Sequence, residues 1–216
     1  MSGEFFERAY ARFGVPEEHF QKMIEESKKL VSFIPDISLT GYLSDEDIPL
    51  GLPGWQVLET KGHAQDHISL WREKDGTLIG GDVLIAHISP NPFMEPPHPG
   101  EEKRPKSQLQ YNETLKKLAQ YPISVVYAGH GEDIYDHHTL IEKMLAAQHQ
   151  RAFKVKEMLE QSPKTVFEIC KLLFPKAYQK ELSLTISEAV AQLDYLLALD
   201  EITLIEDAQS VLIAAK

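Results

Sequence analysis

The amino-acid sequence predicts a mixed α/β (α+β) fold in two parts, divided near residue 150. Three observations predict it. Short apolar stretches of strand length, separated by turn residues, recur between residues 55 and 128. Helical periodicity covers residues 108–120 and 136–160, around the last of those strands. Three helices, the first being that of residues 136–160, then precede a hairpin, which is the element order of a winged helix. The expected domains are therefore 1–150 and 151–216.

Each element has a local cause. Phe5, Phe6, Tyr10 and Phe13 recur at helical spacing until Gly14-Val15-Pro16 breaks the pattern. A second helix starts near Pro16, with Glu17 and Glu18 suited to its positive end. Phe20, Met23, Ile24, Leu30 and Val31 form its apolar stripe. Residues 35–53 read as loop, with Pro35, Asp36, Gly41, Asp45, Asp47, Pro49, Gly51 and Pro53. Strands are expected at 55–60, 67–72 and 77–82, the last two joined through the turn Lys74-Asp75-Gly76. Residues 86–107 form a long Pro-rich loop, of a length usually tied to function or mobility. A helix at 108–120 precedes a strand at 123–127 that leads into Ala128-Gly129-His130-Gly131. In the second part, Ser162-Pro163-Lys164-Thr165 starts a helix. Ile186, Val190, Leu193, Leu196 and Leu197 give the helix at 183–199 a core stripe. Residues 202–206 and 211–214 pair about a turn at Asp207-Ala208.

The net charge of -11 argues against a general nucleic-acid binder and against binding to an anionic membrane, because both need clustered Lys and Arg. No apolar run approaches a membrane span. The acidic start, Met1-Ser2-Gly3-Glu4, carries no apolar signal region, so the cytoplasm is the expected compartment. Cys170 is the sole cysteine and lies on an amphipathic stretch, where it reads as a small buried hydrophobe.

Three short segments carry the chemistry: Thr60-Lys61-Gly62-His63, Gly80-Gly81-Asp82 and Ala128-Gly129-His130-Gly131. Each puts an imidazole or carboxylate just after an expected strand, beside glycines that allow sharp turns. These are the donors a hydrolytic zinc or similar divalent ion takes. His63, Asp82 and His130 are therefore expected to converge in space as metal ligands. The ordered set resembles the later metal-binding motifs of the metallo-β-lactamase superfamily. His63 matches the histidine of the third motif. Asp82 matches the aspartate that bridges two metals, and His130 the last histidine, in a PGHG-like turn where this chain has Ala128. The long loop and the helix around Tyr111 resemble a branch with a C-terminal winged helix, related to hydroxyacylglutathione hydrolase. The resemblance covers about residues 55–216.

The resemblance implies a partial αββα sandwich followed by a winged helix. It also implies a hydrolase in which metal-bound hydroxide attacks an ester-like, thioester-like or phosphodiester small molecule, with Asp82 in the catalytic centre. The family's HxHxDH segment has no counterpart here; the nearest pattern, Asp136-His137-His138, lies downstream and opens a helix. The chain therefore reads as the C-terminal portion of such an enzyme, with an incomplete zinc (or other divalent metal) site and no activity alone. The alternative is a non-catalytic binding protein that reuses the fold. His67 is expected to be structural, and His87 and His98 to be exposed loop histidines. His137, His138 and His149 are expected to face solvent or pack on the long helix, and His19 to lie at the surface. The helix at 183–199 has no Lys or Arg, and Glu206 and Asp207 sit in the wing, which argues against nucleic-acid binding there. Val125, Val126 and Tyr127 are expected to be left uncovered, so that the chain associates with itself (a homo-oligomer) or with a partner, or is prone to aggregate.

Overall fold

The computed structural model describes residues 2–32, 38–206 and 210–216, with side chains at most of these positions. The side chains of Leu30 and Val31, the residues Pro35 and Asp36, and the turn Asp207-Ala208 lie outside what is described. The elements are α1 (Ser2–Arg12), α2 (Glu17–Ser32), β1 (Gln56–Glu59), β2 (Ile68–Arg72), β3 (Thr77–Gly81), α3 (Ser107–Leu118), β4 (Val125–Ala128), α4 (His137–Gln161), α5 (Val166–Leu173), α6 (Leu182–Ala198), β5 (Ile202–Glu206) and β6 (Val211–Ala215). By compactness, residues 40–95 and 105–150 form one unit, and residues 1–39, 96–104 and 151–216 form the other. The cut at 150/151 falls within α4. The grouping of the first two helices with residues 151–216 has no counterpart in the sequence reading.

The first unit is built on a four-stranded sheet in the order β1-β2-β3-β4. β1 and β2 pair antiparallel, as do β2 and β3, while β3 and β4 pair parallel. β1, β3 and β4 therefore run in one direction, and their C-terminal ends share one edge. A parallel pair needs a crossover connection, and α3 supplies it. Leu58, Trp71, Leu78 and Val126 occupy one face of the sheet and pack with Tyr111, Leu115 and Leu118 of α3 and with Ile141 and Met144 of α4.

The opposite face differs. Ile68 is 37% exposed, Ile79 42% and Tyr127 46%, with Leu70 and Val125 half-buried between them. The sequence expectation for this strand is correct for Tyr127 and wrong for Val126, which is fully buried. Successive residues of a strand point to opposite faces, so three neighbours cannot share one fate.

In the second unit, Phe6 stacks on Tyr10 with centroids 5.7 Å apart. Gly14, at φ +74°, turns the chain out of α1 against Thr165. The Phe167 amide donates to the Phe13 carbonyl at 3.0 Å. α5 opens with a capping box: the Thr165 side chain accepts from the Glu168 amide, and the Glu168 carboxylate accepts from the Thr165 amide. Cys170 is fully buried, and burial pushes its thiol up to about 11, which suits the packing role expected of it. The stripe Ile186, Val190, Leu193 and Leu196 is buried. So are Glu188, Gln192 and Asp194 on the same helix. Arg104 grips Asp194 with two bonds of 2.7 and 2.9 Å. Arg151 pairs with Glu188, which also accepts from Gln192 at 3.0 Å. β5 and β6 form an antiparallel pair. Among the described residues, no helix is long and apolar enough to cross a membrane.

Candidate metal centre

The shared edge of β1, β3 and β4 collects the three segments singled out by sequence. The Gly129 amide donates to the Gly81 carbonyl at 2.7 Å, which ties the turn after β4 to the end of β3. A Cβ at position 129 would stand 2.3 Å from Asp82 Oδ1. Glycine is thus required there because the carboxylate lies against the backbone.

The Asp82 carboxylate stands between two imidazoles. Its Oδ2 is 3.5 Å from His63 Nε2, and its Oδ1 is 3.6 Å from His130 Nε2. The side chains of His63 and Asp82 are 16% and 29% exposed, whereas that of His130 is 67% exposed. His63 Nδ1 donates to the Asn91 carbonyl at 2.8 Å. A carbonyl only accepts, so Nδ1 carries the proton, and in the neutral ring the lone pair of Nε2 faces Asp82. Phe93 packs on the His63 ring with centroids 4.5 Å apart, and its amide donates to the His63 carbonyl. The Gln65 amide donates to Glu95 at 2.6 Å. The long loop has no regular structure, yet it is latched to the His63 segment at these points.

Behind the edge, α3 supports two of the three segments. Gly62 has φ +129°, and a Cβ there would meet the Tyr111 backbone at 2.4 Å. Thr114 donates to the Lys61 carbonyl at 2.7 Å, and the fully buried Tyr111 hydroxyl donates to the Val83 carbonyl at 2.7 Å.

The remaining histidines separate. His67 Nε2 accepts from the Asp82 amide, and its Nδ1 bonds to Thr60 Oγ1. Burial lowers the pKa of His67, the neighbouring His63 adds to the effect, and Asp82 opposes it. His87 is exposed as expected, but its ring lies against Gly131, where a Cβ would come within 2.8 Å. Sequence reasoning placed His87 in the loop without seeing that it meets the turn of His130. His98 and His19 are half-buried, not exposed. His19 faces Phe167 at 5.9 Å between centroids, a contact from α2 to α5 invisible in local pattern. His137 is buried at the start of α4, and burial lowers its pKa; His138 and His149 are exposed.

The family description of the Metallo-beta-lactamase superfamily matches residues 4–130. The chain belongs to that superfamily, whose members generally bind divalent metals. It is 40% identical over 201 residues to the probable metallo-hydrolase YqjP of Bacillus subtilis (strain 168), a match covering 92% of this chain and 62% of that one. A crystal structure of a metallo-beta-lactamase family protein from Thermus thermophilus superposes with a TM-score of 0.79 at 25% identity, covering 97% of this chain and 63% of that one. A beta-lactamase domain protein from Burkholderia ambifaria has the same fold, with a TM-score of 0.78 at 23% identity and coverages of 96% and 60%. The chain thus spans about three-fifths of the length of these relatives.

The donor set can be tested against a metal directly. Two donors on one zinc-like ion, each bonded at about 2 Å in tetrahedral geometry, stand roughly 3.3 Å apart. The two nitrogen–oxygen separations, 3.5 and 3.6 Å, fit that value. Among the described residues, however, no three His, Cys, Asp or Glu donors close on a single point. The two statements agree once the geometry is read as two pairs that share one carboxylate: His63 with one oxygen, His130 with the other. Each pair fits part of a coordination shell.

Proposed function

We propose that this chain supplies the later ligands of a two-metal hydrolase centre, with zinc as the metal. One observation carries the reading: the two Asp82 oxygens face two different imidazole nitrogens at near-equal distances. His63 and Asp82 Oδ2 would hold one ion, and Asp82 Oδ1 and His130 the other. Divalent ions in such a centre activate water and polarise the carbonyl or phosphoryl oxygen under attack. The chain's own residues do the rest. Asn91 fixes the tautomer and direction of His63, Gly129 admits the carboxylate, and Phe93 shields one imidazole face. The exposure of His130 leaves that side of the centre open to a substrate.

The substrate class that goes with this reading is a small ester, thioester or phosphodiester. We read residues 151–216 as a winged-helix domain without nucleic-acid function. In support, α6 buries most of its length, including Ser187, Glu188, Gln192 and Asp194, and offers no basic face to a groove.

With two donors for each ion, the chain alone is expected to hold metal weakly and to hydrolyse nothing. Equilibrium dialysis against Zn2+ or Co2+ tests the reading, with Asp82→Ala alongside the parent. We expect weak uptake by the parent and none by the variant. Equal uptake by both would show that Asp82 is not a ligand. Two tightly held ions with hydrolytic activity would show that the centre is complete. The second reading, a binding protein that reuses the fold, rests on the absence of a closed three-donor centre among the described residues. Metal content separates the two.

A further inference from the structure

Behind Asp82 a line of hydrogen bonds crosses the ends of three strands. His67 Nε2 lies 3.2 Å from the Asp82 amide. Its Nδ1 lies 2.8 Å from Thr60 Oγ1. Thr60 Oγ1 lies 2.9 Å from Ser69 Oγ, and Ser69 Oγ lies 3.2 Å from the Gly80 carbonyl. Thr60 and Ser69 are buried, so no water competes for these bonds.

Two of the groups have no freedom, and each orders the line from its own end. A carbonyl only accepts, so Ser69 must donate to Gly80. The Ser69 oxygen then accepts from the Thr60 hydroxyl, and the Thr60 oxygen accepts from His67 Nδ1–H. That leaves Nε2 bare. From the other end, a backbone amide only donates, so Nε2 must be bare to accept from Asp82. Both ends demand the same tautomer. Around it, Gly81, at φ +55°, brings the backbone so close that a Cβ would stand 3.0 Å from His67 Nε2.

We propose that His67 is a positioning residue for Asp82. As the Nδ1–H tautomer at the head of a one-way line His67–Thr60–Ser69–Gly80, it pins the Asp82 amide and so aims the carboxylate between His63 and His130. The link from this line to metal rests on the reading of Asp82 as a ligand; the line itself does not. Outer-sphere partners of this kind typically change metal affinity by about 10–100-fold when removed.

The two claims are tested separately. Long-range proton–nitrogen NMR of the metal-free chain reads the His67 tautomer directly. Protonated Nδ1 with bare Nε2 is expected, and an Nε2–H tautomer would overturn the proposal. Amide exchange at Asp82 reads the pin. In His67→Ala it is expected to accelerate at least tenfold. In His67→Gln, whose side-chain oxygen can accept near the Nε2 position, it should stay within a few-fold of the parent. Equal acceleration in both variants would mean that His67 merely fills space, and no acceleration in either would mean that the amide is held by something else. Co2+ titration then carries the effect to the centre, with a loss of about 10–100-fold in His67→Ala and recovery in His67→Gln. Unchanged Co2+ affinity in His67→Ala, where Asp82→Ala abolishes it, would overturn the positioning role. If Asp82→Ala also leaves Co2+ binding unchanged, it is the metal reading of Asp82 that fails.

Discussion

Asp82, half-buried at the edge of the four-stranded sheet, and Asp194, buried within α6, are treated oppositely by their surroundings. The Asp194 side chain is 6% exposed and takes two bonds from Arg104 at 2.7 and 2.9 Å. Its charge is matched within the chain. Asp82 is 29% exposed, and its oxygens meet imidazole nitrogens at 3.5 and 3.6 Å, beyond normal hydrogen-bonding distance. It is held through its backbone instead, by His67, and by the space that Gly129 leaves. A carboxylate that satisfies its own lone pairs is a structural element. One whose lone pairs are left unmatched costs stability. The partners, more than the burial, separate the two roles.

The largest effect is expected where the edge that carries His63 and the core meet. Gly62→Ala must place a Cβ on the Tyr111 backbone at φ +129°, combining overpacking with backbone strain at a cost of about 4 kcal/mol. Chemical denaturation of the variant measures it. A cost under about 1 kcal/mol would mean that α3 does not support the His63 segment as described. Next comes a crossed pair of substitutions. Asp194→Ala removes the carboxylate that takes two bonds from Arg104, and breaking such a pair costs about 3 kcal/mol. That corresponds to a fall in Tm of roughly 6–12 °C for a chain of this size. The same change should leave Co2+ uptake alone. Asp82→Ala should do the reverse, abolishing uptake while Tm holds or rises. If Asp82→Ala lowers Tm as much as Asp194→Ala does, the contrast between the two carboxylates collapses.

The smallest effect on stability is expected at Ile79 and Tyr127. We propose that the exposed sheet face, with Ile68, Ile79 and Tyr127, drives self-association of the chain. Ile79→Thr and Tyr127→Thr should change folding stability by no more than about 0.5 kcal/mol. Light scattering over a range of concentrations should show the apparent mass of the parent rising and that of the double variant flat. A parent that stays monomeric throughout would remove the proposal.

The same contrast marks what could be read from the amino-acid sequence. The strands were legible because alternation and turn residues are local, and the start of α5 because Ser162-Pro163-Lys164-Thr165 breaks the preceding helix. The convergence of His63, Asp82 and His130 was legible because each follows a strand beside glycine. What escaped depends on partners distant in the chain. Glu188, Gln192 and Asp194 look like a solvated helix face until Arg104 and Arg151 arrive from far upstream. The bonds of His67 to Thr60 and to the Asp82 amide cross strand ends, so sequence could assign it a structural role but not name its partners. The closeness of His87 to Gly131 arises only when the loop after β3 meets the turn after β4.

The common direction of β1, β3 and β4 has a further consequence for the order in which the molecule is assembled. Asp82 is 19 residues beyond His63 (82 − 63), and His130 is 48 beyond Asp82 (130 − 82). Closing the longer of these loops costs only about 0.8 kcal/mol more chain entropy than closing the shorter. Both closures are accomplished by strand pairing and by the docking of α3, with Leu58, Leu78, Tyr111, Leu115 and Val126 collapsing into one core. The three side chains are thus brought together by hydrophobic condensation. In small zinc domains the ion is the nucleus, and the chain is unfolded without it. Here an ion would be a late guest at the edge of a folded sheet, and a chelator would empty that edge while leaving the sheet standing.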